Sequence, residues 1–174
     1  MVIWLIGMAG SGKTTVGRQL FKEVRMKHPN TVYIDGDDIR EIFKANQLHK
    51  DYSSDARKKN AERISAMCHW LDKQGHNVIC SILSVFEASR EWNRATYSEY
   101  FEIYIKTSFD TLYRRDQKGL YSGAKAGKIK DVVGFDIPFE EPQHPNYVLE
   151  NDIKKNHHQK DIDAILSMIQ EKLK

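Results

Sequence analysis

The chain has 174 residues, 40% of them hydrophobic, and a formal net charge of +3 at pH 7. This length fits one domain, residues 1 to 174, with room for a real core, the hydrophobic fraction is ordinary for a soluble globular protein, and a multidomain chain is not expected. Cys68 and Cys80 lack ligand-type spacing, no apolar run approaches a membrane span, and the run from Met1 to Ile6 is too short for a signal-peptide core, so a cytoplasmic protein with no membrane partner is expected.

Val2 to Ile6 predicts a first strand ending at Gly7, and from Thr14 onward Val16, Leu20 and Val24 recur at helical spacing. Between them Gly7-Met8-Ala9-Gly10-Ser11-Gly12-Lys13-Thr14 matches the G-x-x-x-x-G-K-[ST] loop in the strand–loop–helix context that the motif requires. Its glycines let backbone N–H groups curl around phosphate oxygens, and the helix N-terminus adds partial positive charge. Lys13 bridges the β- and γ-phosphates and Thr14 ligates Mg²⁺. Gly7, Gly10, Ser11, Gly12, Lys13, Thr14 and Thr15 are the expected ATP-binding residues here, with ATP and Mg²⁺ as cofactors. No N-K-x-D guanine-reading motif occurs, which argues against a GTPase switch.

A second strand, Thr31 to Asp35, runs into Asp35-Gly36-Asp37-Asp38-Ile39-Arg40, so acids emerge at the carboxyl edge of the sheet, where open α/β folds bind ligands. One carboxylate there can support the metal, and another can take the proton of an attacking hydroxyl. The plainer alternative is a solvated turn with an Asp helix cap. A short helix carries Ile39, Ile42 and Phe43, and a longer one spans 53 to 74, with Ile64, Met67, Cys68 and Leu71 on one stripe and Gly75 at its end. On this helix Arg57 and Asn60 stand three apart and can converge on one ligand, although polar pairs at this spacing are usually a solvated face.

Asn77 to Ser81 predicts a third strand, 86 to 98 a helix, Phe101 to Ile105 a fourth strand and 108 to 115 a helix. Such alternation predicts a parallel sheet covered on both faces. Residues 116 to 146 break the pattern with four glycines and three prolines, as a mobile lid over a site would. Residues 113 to 130 hold Arg114, Arg115, Lys118, Lys125, Lys128 and Lys130 against Asp116 alone, a local excess suited to small anions. The stretch lacks the interleaved aromatics of a nucleic-acid stacking platform, so no nucleic-acid partner is expected. Tyr147 to Leu149 supplies a fifth strand, and Ile162, Ile165, Leu166, Ile169 and Leu173 mark a closing amphipathic helix. The histidines, including His157-His158, form no H-x-x-x-H pair beside an acid and are assigned no chemistry.

The phosphate loop, Asp35-Gly36-Asp37 with Arg40, the Arg57/Asn60 pair, Arg115-Asp116-Gln117-Lys118-Gly119-Leu120-Tyr121, Ala126-Gly127-Lys128-Ile129-Lys130 and Gly134-Phe135-Asp136-Ile137-Pro138-Phe139-Glu140-Glu141-Pro142 together resemble the adenylylsulfate (APS) kinase family from residue 2 to about 150. The resemblance implies a three-layer α/β P-loop kinase fold, with a five-stranded parallel sheet flanked by helices and a lid. It also implies phosphoryl transfer from MgATP to the ribose 3′-hydroxyl of adenosine 5′-phosphosulfate, giving 3′-phosphoadenosine 5′-phosphosulfate. Asp37 is then the base and acceptor anchor, catalytic with Lys13, while Asp35 joins Thr14 at the metal and Arg115 joins the ATP site. Arg40, Arg57 and Asn60 grip the acceptor, Lys118 and Leu120 close over it, and Ser81, Leu83 and Ser84 match the segment after the third strand. Ser84 occupies the position once proposed to form a phosphoserine, although direct in-line transfer suffices for this chemistry. The partner is a small nucleotide acceptor, and a homodimer is left open.

Three departures bear on the acceptor. Val85 replaces the proline after Ser84, Tyr52 replaces one phenylalanine expected to stack on the acceptor base, and Val132 replaces the other. Half of an aromatic sandwich is thereby lost, where each stack is typically worth about 1–3 kcal/mol. These changes resemble a branch of the family associated with surface-polysaccharide gene clusters. One activity of that branch phosphorylates the 3′-hydroxyl of cytidine 5′-diphosphoramidate on the route to capsular phosphoramidate. On this alignment Val132 lines the acceptor base, and Val132→Phe is expected to improve use of the adenine nucleotide.

Overall fold

Every side chain of β1 (Val2–Ile6) is buried, and a strand apolar on both faces belongs in the middle of a sheet covered on both sides. The computed structural model, which describes residues 1–43, 51–116, 118–152 and 158–174, places β1 there. With β2 (Thr31–Asp35), β3 (Asn77–Ile82), β4 (Tyr100–Lys106) and β5 (Tyr147–Glu150), the strand order is β2-β3-β1-β4-β5. All four pairings are parallel, with Leu5 opposite Ser81 on one side and Ile103 on the other. The expected doubly covered sheet is therefore present.

Helices α1 (Lys13–Lys27) and α7 (Gln159–Ile169) cover one face. Val16, Leu20, Val24, Ile162, Ile165 and Ile169 meet Ile3, Leu5, Ile103 and Ile105 there. On the other face α3 (Ser54–Lys73) packs Ile64 and Cys68 onto Trp4, Ile6, Val78 and Cys80, joined by Tyr97 beyond α4 (Glu87–Thr96). Each large aliphatic chain buried in this way contributes about 1.5–3 kcal/mol, so these two layers hold the strand ends in place. Among the described residues, no helix is long and apolar enough to cross a membrane.

Polar side chains end the helices near the site. Asp35 caps α2 (Gly36–Ile42) by accepting the Asp37 N–H at 2.9 Å, Ser53 caps α3 and Ser108 caps α5 (Phe109–Arg115). Residues 116 to 146 contain more order than their composition suggests. Helix α6 (Leu120–Lys125) forms there because the Asp116 carboxylate accepts the N–H groups of Tyr121 at 2.8 Å and Ser122 at 3.1 Å. A third small core of Leu112, Tyr121, Ala124 and Val132 then packs that helix against α5. The remaining boundary differences are small: β3 runs one residue further to Ile82, the helix expected over 86 to 98 is α4, and α7 passes into a 3₁₀ turn over Gln170–Lys172.

Candidate functional site

The loop between β1 and α1 owes its shape to two glycines in the left-handed region, Gly10 at φ 78° and Gly12 at φ 101°. A Cβ on Gly12 would lie 2.6 Å from the Asn151 amide nitrogen, so this position is closed to any side chain. Carbonyls of the loop are held from outside. Lys13 Nζ donates to Met8 O at 2.8 Å, Tyr121 O–H to Ala9 O at 2.8 Å, and Asn151 Nδ2 to Ser11 O at 2.7 Å. The first N–H groups of α1 have no intrahelical acceptor and are available to an anion. Ser11 is fully buried, and its hydroxyl has no partner among the described residues.

Lys13 is half-buried. Desolvation pushes its ammonium down to about 8, although Asp37 and Asp35 pull the other way. Thr14, exposed like Thr15, donates its hydroxyl to Asp35 Oδ2 at 2.8 Å, and the Tyr33 hydroxyl donates to the same oxygen at 3.2 Å. A hydroxyl and a carboxylate are thus side by side next to the loop. Asp37, two residues on, projects outward with a 72% exposed side chain and meets Lys118 Nζ at 3.1 Å. Desolvation works to raise the Asp37 carboxyl, but Lys118, then Lys13 and Arg40, hold it below the usual carboxylate range.

Beyond Asp37 the guanidinium of Arg40 lies 4.9 Å and that of Arg57 5.5 Å from the centre of the Tyr52 ring. Arg57 also donates to Tyr52 O at 2.9 Å and to Asp131 O at 2.7 Å, which ties the start of α3 to the segment after α6. Desolvation and the charge of Arg40 both lower the Arg57 pKa, so an anion beside the pair would relieve a cation–cation repulsion. Asn60 is buried one turn along α3.

Other sequence-derived candidates take different positions. Ser81 is buried, and its hydroxyl lies 3.0 Å from the Tyr33 hydroxyl and 3.3 Å from Lys13 O, so it braces α1. Ser84 is only 5% exposed and sits at φ 49°; its hydroxyl accepts from Trp4 Nε1 at 3.2 Å and its carbonyl from Arg90 at 2.7 Å. Leu83 and Leu120 are half-buried. Arg115 donates to Asn151 O at 2.7 Å and stands on the β4–β5 side of the loop. Val132, which the family resemblance sets against the acceptor base, has a side chain 1% exposed that packs with Leu112, Tyr121 and Ala124 inside the third core.

Sequence reasoning passes over Tyr121, Asn151, Tyr33 and Arg90. Arg90 is 1% exposed, pairs with Glu87 and holds the carbonyl of Ser84, while Arg94 links Glu87 at 2.8 Å to the buried Glu102 at 2.9 Å. A polar residue just past an edge strand, as Asn151 is, was the available signal for one of them. The others depend on partners far along the chain.

Residues 1–150 match the family model described as adenylylsulphate kinase. A cytidine diphosphoramidate kinase of Campylobacter jejuni is 39% identical over 155 residues, covering 89% of this chain and 88% of that protein. An adenylyl-sulfate kinase of Oceanobacillus iheyensis is 35% identical over 153 residues, covering 87% and 75%. Among solved structures, the APS kinase of Mycobacterium tuberculosis in complex with AMPPNP and APS superposes with a TM-score of 0.84 at 27% identity, covering 97% of this chain and 96% of that one.

Proposed function

This chain belongs to the adenylylsulphate kinase family and is an ATP-dependent phosphotransferase; from that premise we propose that it phosphorylates the ribose 3′-hydroxyl of a small nucleoside 5′-anhydride. The observation that carries this reading is the placement of Asp37 between the phosphate loop and two arginines. Its carboxylate meets Lys118 on one side, and the Arg40–Tyr52–Arg57 stack stands beyond it. Such a cationic pair suits the anhydride of an acceptor whose sugar hydroxyl approaches Asp37.

In this mechanism Lys13 and the N-terminus of α1 grip the β- and γ-phosphates, and Asp37 accepts the proton of the attacking hydroxyl. It is ionised at neutral pH, and an acceptor that displaces Lys118 from it would remove the main cause of its lowered pKa and strengthen it as a base. The Thr14 hydroxyl and Asp35 carboxylate, 2.8 Å apart, fit Mg²⁺, which commonly takes one or two protein oxygens and fills its shell with phosphates and water. When bound, the ion would neutralise charge on the transferring group. Ser84, buried against Trp4, needs no covalent role in a direct in-line transfer.

Residues 116 to 146 act as the lid. This segment supplies Lys118 to Asp37, the Asp131 carbonyl to Arg57 and Tyr121 to the phosphate loop, so it reaches both substrates' sides of the site.

Adenosine 5′-phosphosulfate is one acceptor with the required chemistry. Cytidine 5′-diphosphoramidate is a second, supported by the valine at position 132, where the family resemblance leads one to expect a ring stacked on adenine. Turnover of the two compounds at equal concentration, followed by ADP release and by the 3′-phosphate in the product's ³¹P spectrum, separates them. Failure of both acceptors to stimulate ADP release would refute the proposal.

A further inference from the structure

A phosphate-binding loop presents N–H groups to the anion, and the carbonyls that turn away into protein need donors there. For Ser11 the donor is Asn151, just beyond β5, and for Met8 it is Lys13 of the loop itself. Ala9 is different, because its carbonyl takes the hydroxyl of Tyr121 at 2.8 Å, from helix α6 in the lid proposed above.

The Tyr121 side chain is 2% exposed, and burial pushes its phenol up to about 12, so it stays a neutral donor. Its ring stands edge-on to Phe109 at 5.5 Å and packs with Leu112, Ala124 and Val132. Its N–H is fixed by Asp116, in the turn that starts α6. The far arm of the segment also comes near the loop: a Cβ built on Gly134 would lie 2.8 Å from Met8 Sδ, so the Met8 side chain reaches this glycine. The phosphate loop and the lid are therefore in register through a hydroxyl that only a docked α6 can supply.

We propose that Tyr121 is a positioning residue that couples the lid to the phosphate loop. While α6 is docked, the hydroxyl keeps the Ala9 carbonyl turned outward and the loop shaped for phosphate. When α6 withdraws, that carbonyl loses its donor. Nucleotide binding and lid docking then favour each other, and the coupling is reciprocal. This inference rests on the kinase reading, in which the loop holds ATP.

Tyr121→Phe keeps the ring and removes only the hydroxyl. Tryptic cleavage after the exposed Lys125, Lys128 and Lys130 reports lid docking, and the non-hydrolysable analogue AMPPNP with Mg²⁺ reports occupancy of the loop. In the wild type, saturating AMPPNP slows cleavage at these lysines. In Tyr121→Phe, AMPPNP binds about tenfold more weakly, as expected for one lost buried bond, and even at saturation no longer protects them. Unchanged AMPPNP affinity, or weaker affinity with full protection at saturation, would overturn the coupling and leave Tyr121 a packing residue. Absence of AMPPNP binding to the wild type would overturn the kinase reading as well, so the two failures are distinguishable.

Discussion

Lys13 offers a titration near neutrality. Desolvation brings its pKa from 10.5 to about 8 in the free protein, and the phosphates of ATP would restore it well above that. A cation with a depressed pKa in the free state and a raised one in the complex must take up a proton on binding, and affinity then falls as pH climbs through the free-state value. With a free pKa of about 8, the protonated fraction is about 0.9 at pH 7 and about 0.09 at pH 9. The dissociation constant for AMPPNP should therefore rise about tenfold between those pH values, a change of about 1.4 kcal/mol. Isothermal titration calorimetry at fixed Mg²⁺ and ionic strength measures it, and paired buffers of different ionisation enthalpy count the proton. Lys13→Arg should flatten the profile, since guanidinium stays charged throughout. A dissociation constant independent of pH from 7 to 9, with no proton uptake at pH 9, would refute the reasoning. Stability has the opposite trend: the unfolded chain binds the extra proton between pH 8 and 10.5, so relief of the buried charge favours the fold as pH rises through that window.

Asp37→Asn preserves shape and hydrogen bonding but removes the proton acceptor, so kcat should fall by about 10²-fold or more with AMPPNP affinity largely kept; collapse of nucleotide binding would instead make Asp37 a metal residue. Ser84→Ala should retain substantial turnover and lose about 1 kcal/mol of stability with the Trp4 bond, read from chemical denaturation. Complete inactivation of a folded Ser84→Ala protein would support a phosphoserine intermediate. Val132→Phe forces a ring into the third core and should cost about 1–3 kcal/mol with no gain in use of adenosine 5′-phosphosulfate. Improved kcat/KM for that acceptor would show that the side chain swings out to the base.

The alternation of strands and helices and the phosphate loop were legible because their signals are local. Val2–Ile6 is apolar throughout, the phosphate loop has fixed spacing, and Asp35-Gly36-Asp37 follows directly on a β-branched strand. Helix α6 was not, since six residues containing Gly123 are too few for periodicity and its start depends on the Asp116 carboxylate. The packing of Val132 with Leu112, Tyr121 and Ala124 was not legible either, because those partners come from α5 and α6 and no local pattern marks them. Ser84 is similar: its hydroxyl meets Trp4, 80 residues away, and no motif encodes that contact.

The position of β1 at the centre of the sheet has an evolutionary consequence. Asp37, Arg40, Tyr52, Arg57, Asn60 and Ser84 all follow from β2 and β3 on one flank, whereas Arg115 and Asn151 follow from β4 and β5 on the other. The first group occupies one uninterrupted stretch of chain, between α1 and α4. On the proposed reading most acceptor-facing residues are therefore heritable as a block: a single recombination between relatives, with crossovers inside α1 and α4, exchanges them together with Asp35 and leaves the phosphate loop in place. Such a hybrid has its seams at Asp35 against Thr14, at Lys118 against Asp37 and at Asp131 against Arg57.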